Sequence, residues 1–187
     1  MIGIETFIFG GCNEQGCTND LFVLFAHTPN IEERDQSKKV TLERYFPQNT
    51  GTPPSPRAGH TAVAYEKTLY IFGGENSSQE HLNDLYAFDT EKLRWTQIRT
   101  SNRVPPARAY HVAEVIGNTM LVFGGEGSDK KLLNDLWAYD FDVRKWTLIQ
   151  TFGFMPTPRS CMASTARDDN LVVFGGKLSD GTIANDA

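Results

Sequence analysis

A repeat of 51 residues constrains the fold of this chain more than any other feature. Paired glycines occur at 73–74, 124–125 and 175–176, and each pair lies 51 residues after the one before it. Residues 57–107 and 108–158 align without a gap and share 21 identical positions in 51. Chance does not produce that agreement. The chain therefore contains copies of one supersecondary unit, which must stack on one another to bury their apolar faces.

The copies predict short antiparallel strands. In the copy that begins at Arg57, apolar or alternating stretches lie at 60–65, 69–72, 85–89 and 94–98. The connections are short, whereas a parallel crossover needs a dozen or more residues and usually contains a helix. The second stretch is apolar at successive positions, so both faces of its sheet are expected to be covered. Radial stacking of such four-stranded sheets forms a β-propeller.

The repeated unit resembles the blade motif of the kelch-repeat family. Each later copy has proline and arginine before its first strand, Phe-Gly-Gly at the end of its second strand and an Asn-Asp pair before its third strand. The resemblance covers nearly all of the chain and implies an all-β, kelch-type β-propeller of four-stranded antiparallel blades. The residues predicted to be structural are Gly73, Gly74, Gly124, Gly125, Gly175, Gly176, Trp95 and Trp146.

We interpret residues 1–187 as one kelch repeat region with two complete and two partial blades. The predicted units are a partial blade at 1–56, a blade at 57–107, a blade at 108–158 and a partial blade at 159–187. The first unit has 13 extra residues, so we expect a solvated loop at 27–41, with Tyr45 or Phe46 replacing the missing tryptophan. The incomplete units at both ends favour a piece of a larger propeller.

Composition and charge argue against several classes of function. The net charge is −5 and no run of Lys or Arg exceeds a pair, which argues against nucleic acid or an anionic membrane as the main partner. The first apolar stretch is short and contains Glu5, so it predicts neither a signal peptide nor a membrane span. We expect Cys12, Cys17 and Cys161 to be free thiols in a reducing compartment, the cytoplasm or the nucleus.

Most motifs that could support chemistry have a structural interpretation. No Lys-Ser or Lys-Thr follows the paired glycines, so they do not predict a phosphate loop. The Asn-Asp pairs could supply metal carboxylates, but they precede strands, where such side chains usually bond their own backbone. His60 and His111 could serve a metal or act as general bases. We favour core hydrogen bonds, because Met162 occupies the same position in the last copy.

The recurring arginines leave two alternatives open. Arg57, Arg108 and Arg159 precede the first strand of their copies, where a guanidinium could bond loop carbonyls or face a ligand.

The kelch resemblance admits both enzymes and binding proteins. Kelch-type propellers include galactose-oxidase-like enzymes and iron-dependent specifier proteins, whose metal ligands lie in particular loops. The loops after the paired glycines have no common ligand spacing here, so we predict no catalytic residue, no metal and no cofactor. The prediction is a non-catalytic module or scaffold that binds a protein partner. The alternative is part of a kelch-type enzyme or metal-dependent specifier protein.

Antiparallel connectivity predicts where a partner would bind. Loops between the second and third strands, at 75–82, 126–133 and 177–184, should converge with the inter-blade connections 99–107 and 150–158 on one face. The sequence does not identify the partner. The candidate partner-binding residues are Glu75, Asn76, Arg103, Glu126, Asp129, Lys130 and Lys177.

Overall fold

The computed structural model describes residues 3–27, 41–100 and 103–186. These residues form strands and turns without any helix, and all strand pairs except one are antiparallel. The predicted all-β propeller fold is confirmed. A helix long and apolar enough to cross a membrane is not found in these ranges. Most of the predicted loop at 27–41 lies outside the described residues, and its end residues His27 and Thr41 pair in strands.

The first blade is partial. Its strands are β1 (Gly3–Phe9), β2 (Cys12–Asn13), β3 (Gly16–Cys17), β4 (Leu21–His27) and β5 (Thr41–Tyr45). Strands β1, β4 and β5 form an antiparallel sheet in that order, and β2 and β3 form a small separate hairpin. The sheet ends on the outside at β5, and its innermost strand is β1.

The second blade contains all four predicted strands and one more. Its strands are β6 (Thr50–Gly51), β7 (Thr61–Tyr65), β8 (Thr68–Phe72), β9 (Leu85–Asp89) and β10 (Arg94–Ile98). The sheet order is β6-β10-β9-β8-β7, with β6 parallel to β10 at the outer edge. The bounds of β7 to β10 differ from the predicted stretches by one residue at most.

The third blade has the same antiparallel order with longer central strands. The remaining strands of the chain are β11 (Arg108–Ala109), β12 (Val112–Ile116), β13 (Thr119–Gly127), β14 (Leu132–Asp140), β15 (Lys145–Ile149), β16 (Ala163–Arg167) and β17 (Asn170–Phe174). Pairing of β13 with β14 continues past a bulge between Phe123 and Gly125. The fourth blade is the antiparallel pair β16-β17, and two complete and two partial blades are therefore present, as predicted.

Burial explains why the central strands are apolar at successive positions. In β8, Ile71 and Phe72 point to opposite faces and both are fully buried. Neighbouring blades cover both faces of that sheet. In β17 the side chains alternate between half-buried and exposed, and Phe174 is 56% exposed.

The tryptophans fill the space between blades. The Trp95 ring centroid lies 5.2 Å from that of Phe9 in the preceding blade and 4.8 Å from that of Phe88 in its own blade. Trp146 repeats this arrangement, 4.9 Å from Phe72 and 5.0 Å from Tyr139. Both indole rings are buried, so each joins two sheets through aromatic contacts.

The first blade has no equivalent of this indole packing. Tyr45 and Phe46, expected to replace the missing tryptophan, are 51% and 50% exposed. The Phe46 ring lies 6.0 Å from that of Phe22, within the same blade. The guanidinium of Arg44 lies over both rings. Among the described residues, neither side chain joins two blades as Trp95 does.

Trp146→Ala is expected to lower the free energy of unfolding by about 3 to 5 kcal/mol, because it leaves a cavity between two blades. Trp146→Phe keeps part of the aromatic contact and should cost less. Val143→Ala is the control, since Val143 is 68% exposed in the β14-β15 turn, and it should change stability by less than about 0.5 kcal/mol. Urea unfolding followed by circular dichroism measures all three. Equal losses for Trp146→Ala and Val143→Ala would contradict inter-blade packing.

Candidate functional site: the loop face

Hydrogen bonds from asparagine hold two sets of loops at one edge of the sheets. The asparagine before the third strand of a blade donates its side-chain amide to a proline carbonyl in the connection to the next blade. The bonds are Asn19 to Pro54 at 3.0 Å, Asn83 to Pro105 at 3.3 Å and Asn134 to Pro156 at 3.1 Å. We call this edge the loop face. It comprises 75–82, 126–133 and 177–184 with the described parts of 99–107 and 150–158.

The arginine that opens each blade is buried and bonded within that blade. Arg108 donates from Nη1 and Nη2 to the two carboxylate oxygens of Asp135 at 2.8 and 2.9 Å, and from Nη1 to the carbonyl of Gly124 at 3.1 Å. Its Nε donates to the Pro106 carbonyl. The pairs Arg57 with Asp84 and Arg159 with Asp186 repeat this fork. The structure thus decides between the two alternatives: these guanidinium groups bond the protein and do not face a ligand.

These ion pairs add to the predicted role of the Asn-Asp pairs. The Asp135 carboxylate bonds its own backbone, as expected, and both of its oxygens also accept from the arginine fork. Burial by itself raises the pKa of Asp135, but the hydrogen bonds and charge of Arg108 outweigh it and lower that pKa. The constant separation of 27 residues between arginine and aspartate in each copy was the sequence signal for this pair.

The main chain of the same arginine joins the preceding blade. Gly74 donates its N–H to the Arg108 carbonyl at 2.9 Å, and Arg108 donates its N–H to the Leu82 carbonyl at 3.0 Å. Gly74 has a φ of +96°, and a Cβ there would lie 2.7 Å from the Ala58 carbonyl oxygen. Glycine is therefore required both for its backbone conformation and for the close approach of Ala58 and His60 in the same blade.

The repeated histidines lie between blades, beside the paired glycines. Nε2 of His111 lies 2.8 Å from Oγ1 of Thr61, and His60 hydrogen-bonds the backbone of Phe9. The predicted core hydrogen bonds are thus present. Burial, with the charge of the nearby arginine, lowers the pKa of His60 to about 4 and that of His111 to about 3. Both rings are neutral near pH 7.

Three of the predicted binding residues come together on the loop face. Nζ of Lys130 lies 3.2 Å from Oε1 of Glu126 and 3.9 Å from Oε2 of Glu75. Nε2 of His81 lies 3.4 Å from the same Glu75 oxygen and 3.7 Å from the same Glu126 oxygen. The hydroxyl of Tyr110 donates to Oε1 of Glu75. We call these five residues the Glu75–Glu126 cluster.

His81 and Tyr110 are the members of the cluster that sequence reasoning missed. The equivalents of His81 in the next copies are Leu132 and Ile183, so the repeat contains no signal for it. Tyr110 occupies the position of Gly59, which was a signal, because a side chain appears where the other copy has none. The hydrogen bond to Glu75, followed by burial, raises the pKa of Tyr110 to about 12.

Two other predicted residues shape turns of the loop face. Oδ1 of Asn76 accepts the N–H groups of Ser78 and Glu80 at 2.9 and 3.0 Å. Asp129 accepts the N–H of Lys131 and pairs with its Nζ at 3.0 Å. The hydrogen bond and charge of Lys131 lower the pKa of Asp129. Asn76 therefore stabilises the turn in which it lies. The Asp129 side chain is 57% exposed.

Arg103 and Lys177 are not members of the cluster. The Arg103 guanidinium carbon lies 5.6 Å from the ring centroid of Trp137, and the two side chains form a cation–π contact. Lys177 is exposed and, with Lys130 and Lys131, lines a cavity of about 420 Å³ on the loop face. The predicted loop at 126–133 is also tighter than expected, because β13 runs to Gly127 and β14 begins at Leu132.

The expectation of free thiols is wrong for two of the three cysteines. Cys12 and Cys17 form a disulfide, and they are directly opposed in the β2-β3 hairpin. Opposed residues of an antiparallel pair bring their Cβ atoms close enough for such a bond. Cys161 is free and exposed. Within the described ranges, no group of three or more His, Cys, Asp or Glu side chains is arranged to hold a metal ion.

Comparison with known proteins gives a consistent family. The model of the KLHDC2/KLHL20/DRC7 Kelch-repeats domain matches residues 1–187. Human Kelch domain-containing protein 3 is 37% identical over 177 residues, which cover 94% of this chain and 46% of that protein. Host cell factor of Drosophila melanogaster is 30% identical over 196 residues, covering 93% of this chain and 12% of that protein.

A plant protein is also similar to most of this chain. Acyl-CoA-binding domain-containing protein 4 of Arabidopsis thaliana is 30% identical over 175 residues, which cover 92% of this chain and 25% of that protein. The chain thus spans less than half the length of each of these three relatives.

Asp135→Ala is expected to lower the free energy of unfolding by about 3 to 5 kcal/mol, because it leaves the fully buried Arg108 guanidinium without its counter-ion. Asp129→Ala is the matched control, since that carboxylate is exposed and pairs only at the surface, and it should cost less than about 1 kcal/mol. Urea unfolding of both variants tests this expectation. A loss below about 1 kcal/mol for Asp135→Ala would show that the fork is not a major source of stability.

The buried histidines predict a loss of stability in acid. Their folded pKa values, about 4 for His60 and about 3 for His111, lie below the ordinary histidine pKa of 6.5. The unfolded chain therefore binds more protons below pH 6.5, and the free energy of unfolding falls with pH by up to about 1.4 kcal/mol per pH unit for each ring. This stability is fully present above pH 6.5.

His111→Met tests the assignment, because Met162 occupies the same position in the last copy. The variant should show a shallower decline than the parent chain when urea midpoints are compared from about pH 7 to about pH 4. Parallel declines in the two proteins would rule out His111 as a source of the acid sensitivity.

Proposed function

This chain belongs to the kelch-repeat family, and on that premise we propose that it is a non-catalytic interaction module that binds a protein partner through its loop face. The observation that carries the proposal is the contrast between a constant scaffold and variable loops. The position after the paired glycines is occupied in successive blades by Cys12, Glu75, Glu126 and Lys177. Variable side chains on a repeated support are suited to a composite binding surface.

The constancy of the scaffold supports this division of roles. The arginine fork and the asparagine bond to a proline carbonyl recur from blade to blade with nearly the same distances. The loops between these fixed points differ in charge and in conformation. A partner that contacts several blades therefore meets a different set of side chains from each one.

Two exposed aromatic side chains on the loop face further support partner binding. Phe152 and Phe154 lie in the connection at 150–158 and are 91% and 94% exposed. Aromatic side chains are frequent energetic anchors of protein interfaces, and full exposure to water leaves their apolar area available for burial. Sequence reasoning did not single out these two residues.

No specific observation favours the enzymatic alternative. The histidines in phase are the obvious candidates for catalysis, but their rings pack between blades. His60 lies 5.4 Å from Phe9 and His111 lies 5.4 Å from Phe72, measured between ring centroids. Neither ring is available at the loop face, where substrates of a propeller enzyme would have to meet metal ligands. We therefore propose that the chain is not an enzyme.

The intracellular location remains a proposal, and the cysteines no longer support it. It followed from the expectation of free thiols, and the Cys12–Cys17 disulfide does not support that expectation. Disulfides are rare in cytosolic and nuclear proteins. Fluorescence imaging of the tagged chain tests the location directly.

Replacing Glu126, Asp129 and Lys130 together by Gln, Asn and Gln is expected to weaken partner binding, by up to several kcal/mol if one of them is a central contact. Substitutions at positions as exposed as Asp129 and Lys130 usually shift stability by less than about 0.5 kcal/mol each. Glu126 is only 25% exposed, and Gln is used there because it keeps the shape of the side chain. Affinity capture after cross-linking, with quantitative mass spectrometry and matched thermal melts, measures both effects.

The control makes the same chemical changes at the opposite edge, with Glu91→Gln, Lys92→Gln and Asp142→Asn. Glu91 and Lys92 lie in the β9-β10 turn and Asp142 in the β14-β15 turn, and all are exposed. Partners captured equally by the parent chain and the loop-face variant, at equal melting temperatures, would refute the proposal. Loss of partners in the control alone would move the binding surface to the opposite edge.

A further inference from the structure

The Glu75–Glu126 cluster places two carboxylates from adjacent blades around one cation. Glu75 follows the paired glycines of the second blade, and Glu126 follows those of the third. Nζ of Lys130 lies within 4 Å of an oxygen of each. Two negative charges face one ammonium group, so a negative charge remains when His81 is neutral. The cluster therefore already binds one cation, and its remaining negative charge can attract a second cation.

His81 indicates that this cluster is incomplete in the free chain. Its side chain is fully buried, and within the described residues neither ring nitrogen has a hydrogen-bond partner. Buried polar atoms are hydrogen-bonded in the great majority of cases, and those that are not require an explanation. Nε2 of His81 is directed at the two carboxylates at 3.4 and 3.7 Å, which is too long or poorly aligned for a good bond.

Tyr110 keeps one of the carboxylates in place at a conformational cost. Its φ is +58°, in the left-handed region that a large side chain seldom adopts, and Gly59 has the equivalent conformation in the second blade. The hydroxyl donates to Oε1 of Glu75, so the other oxygen of Glu75 is oriented toward His81 and Lys130. Cys161 has the same left-handed conformation in the last blade, with a φ of +57°, so the conformation belongs to the repeat. The hydroxyl bond to Glu75 is what is particular to Tyr110.

We propose that the Glu75–Glu126 cluster is a subsite for a lysine or arginine side chain of the partner protein, and that Lys130 occupies it until the partner's cation displaces it. The inference rests on the proposed function and names the chemistry of the contact. Lys130 is 53% exposed on a tight turn, so its ion pairs are weak enough to exchange. The net charge of −5 also favours the approach of a basic partner surface.

Titration with Nα-acetyl-arginine amide, followed by ¹⁵N chemical shifts, tests the subsite without knowledge of the partner. Shifts are expected at residues 75–82 and 126–133. Glu126→Gln should weaken binding about three- to tenfold, because it removes one carboxylate and keeps its shape. Glu91→Gln makes the same chemical change in the exposed β9-β10 turn at the opposite edge and should have little effect. Lys130→Gln should strengthen binding, since it removes the internal competitor.

The strengthening by Lys130→Gln is the outcome that a merely structural role would not produce. Equal binding by Glu126→Gln and Glu91→Gln would overturn the subsite. Preferential binding of Nα-acetyl-glutamate amide would overturn it as well, since Lys131 and Lys177 would then make the nearby cavity an anion site. Thermal melts of each variant exclude unfolding as the cause.

Partner capture by the same variants separates the two proposals. If the loop-face triple variant loses its partner while the arginine probe never binds, the cation subsite is wrong and the interaction face stands. If the probe binds as expected while no partner is captured by the loop face, the proposed function is wrong and the subsite remains a cation site without that role.

Discussion

The buried arginine at the start of each blade bonds two blades at once. Its main chain pairs with the preceding blade, as in the bonds of Arg108 with Gly74 and Leu82. Its side chain forks onto the aspartate of its own blade and onto the carbonyl of that blade's first paired glycine. A charge this deeply buried is tolerated only when it is paired and hydrogen-bonded. The carboxylate and glycine acceptors lie in the arginine's own blade, so the side chain fixes the geometry of that blade while the main chain attaches it to the blade before.

The arginine fork also determines where sequence variation is tolerated. The loop between the second and third strands starts next to the glycine carbonyl and ends next to the aspartate that the same guanidinium holds. Both ends of the loop are therefore fixed for any sequence between them. The hairpin around Lys130, with a bulge at its base, and the turn around Asn76 are two different loop conformations, and the same arginine fork holds the ends of each. The Glu75–Glu126 cluster results from the contact between two such loops.

Prediction from sequence succeeded where the repeat itself contained the information. Strands β7 to β10 were expected within one residue, because period and alternation are local properties. Of the candidate site, Glu75, Glu126 and Lys130 were named, but their common contact was not. His81 and the Cys12–Cys17 disulfide were missed, because each depends on which residues face one another across a hairpin or between blades. The contacts of His81 extend to the next copy, whereas the two cysteines lie in one copy and their pairing depends on the hairpin between them.

The sequence by itself determined the blade architecture, since paired glycines, Asn-Asp pairs and tryptophans in constant phase admit only one way to bury every copy. Tertiary structure alone decided the chemistry of the loop face. Arg108 forms a structural ion pair because the fold brings Asp135, which lies 27 residues later in the chain, within hydrogen-bonding distance. Glu75 and Glu126, 51 residues apart, became one acidic cluster because radial stacking brings equivalent positions of adjacent blades into contact, and charges interact through distance in space.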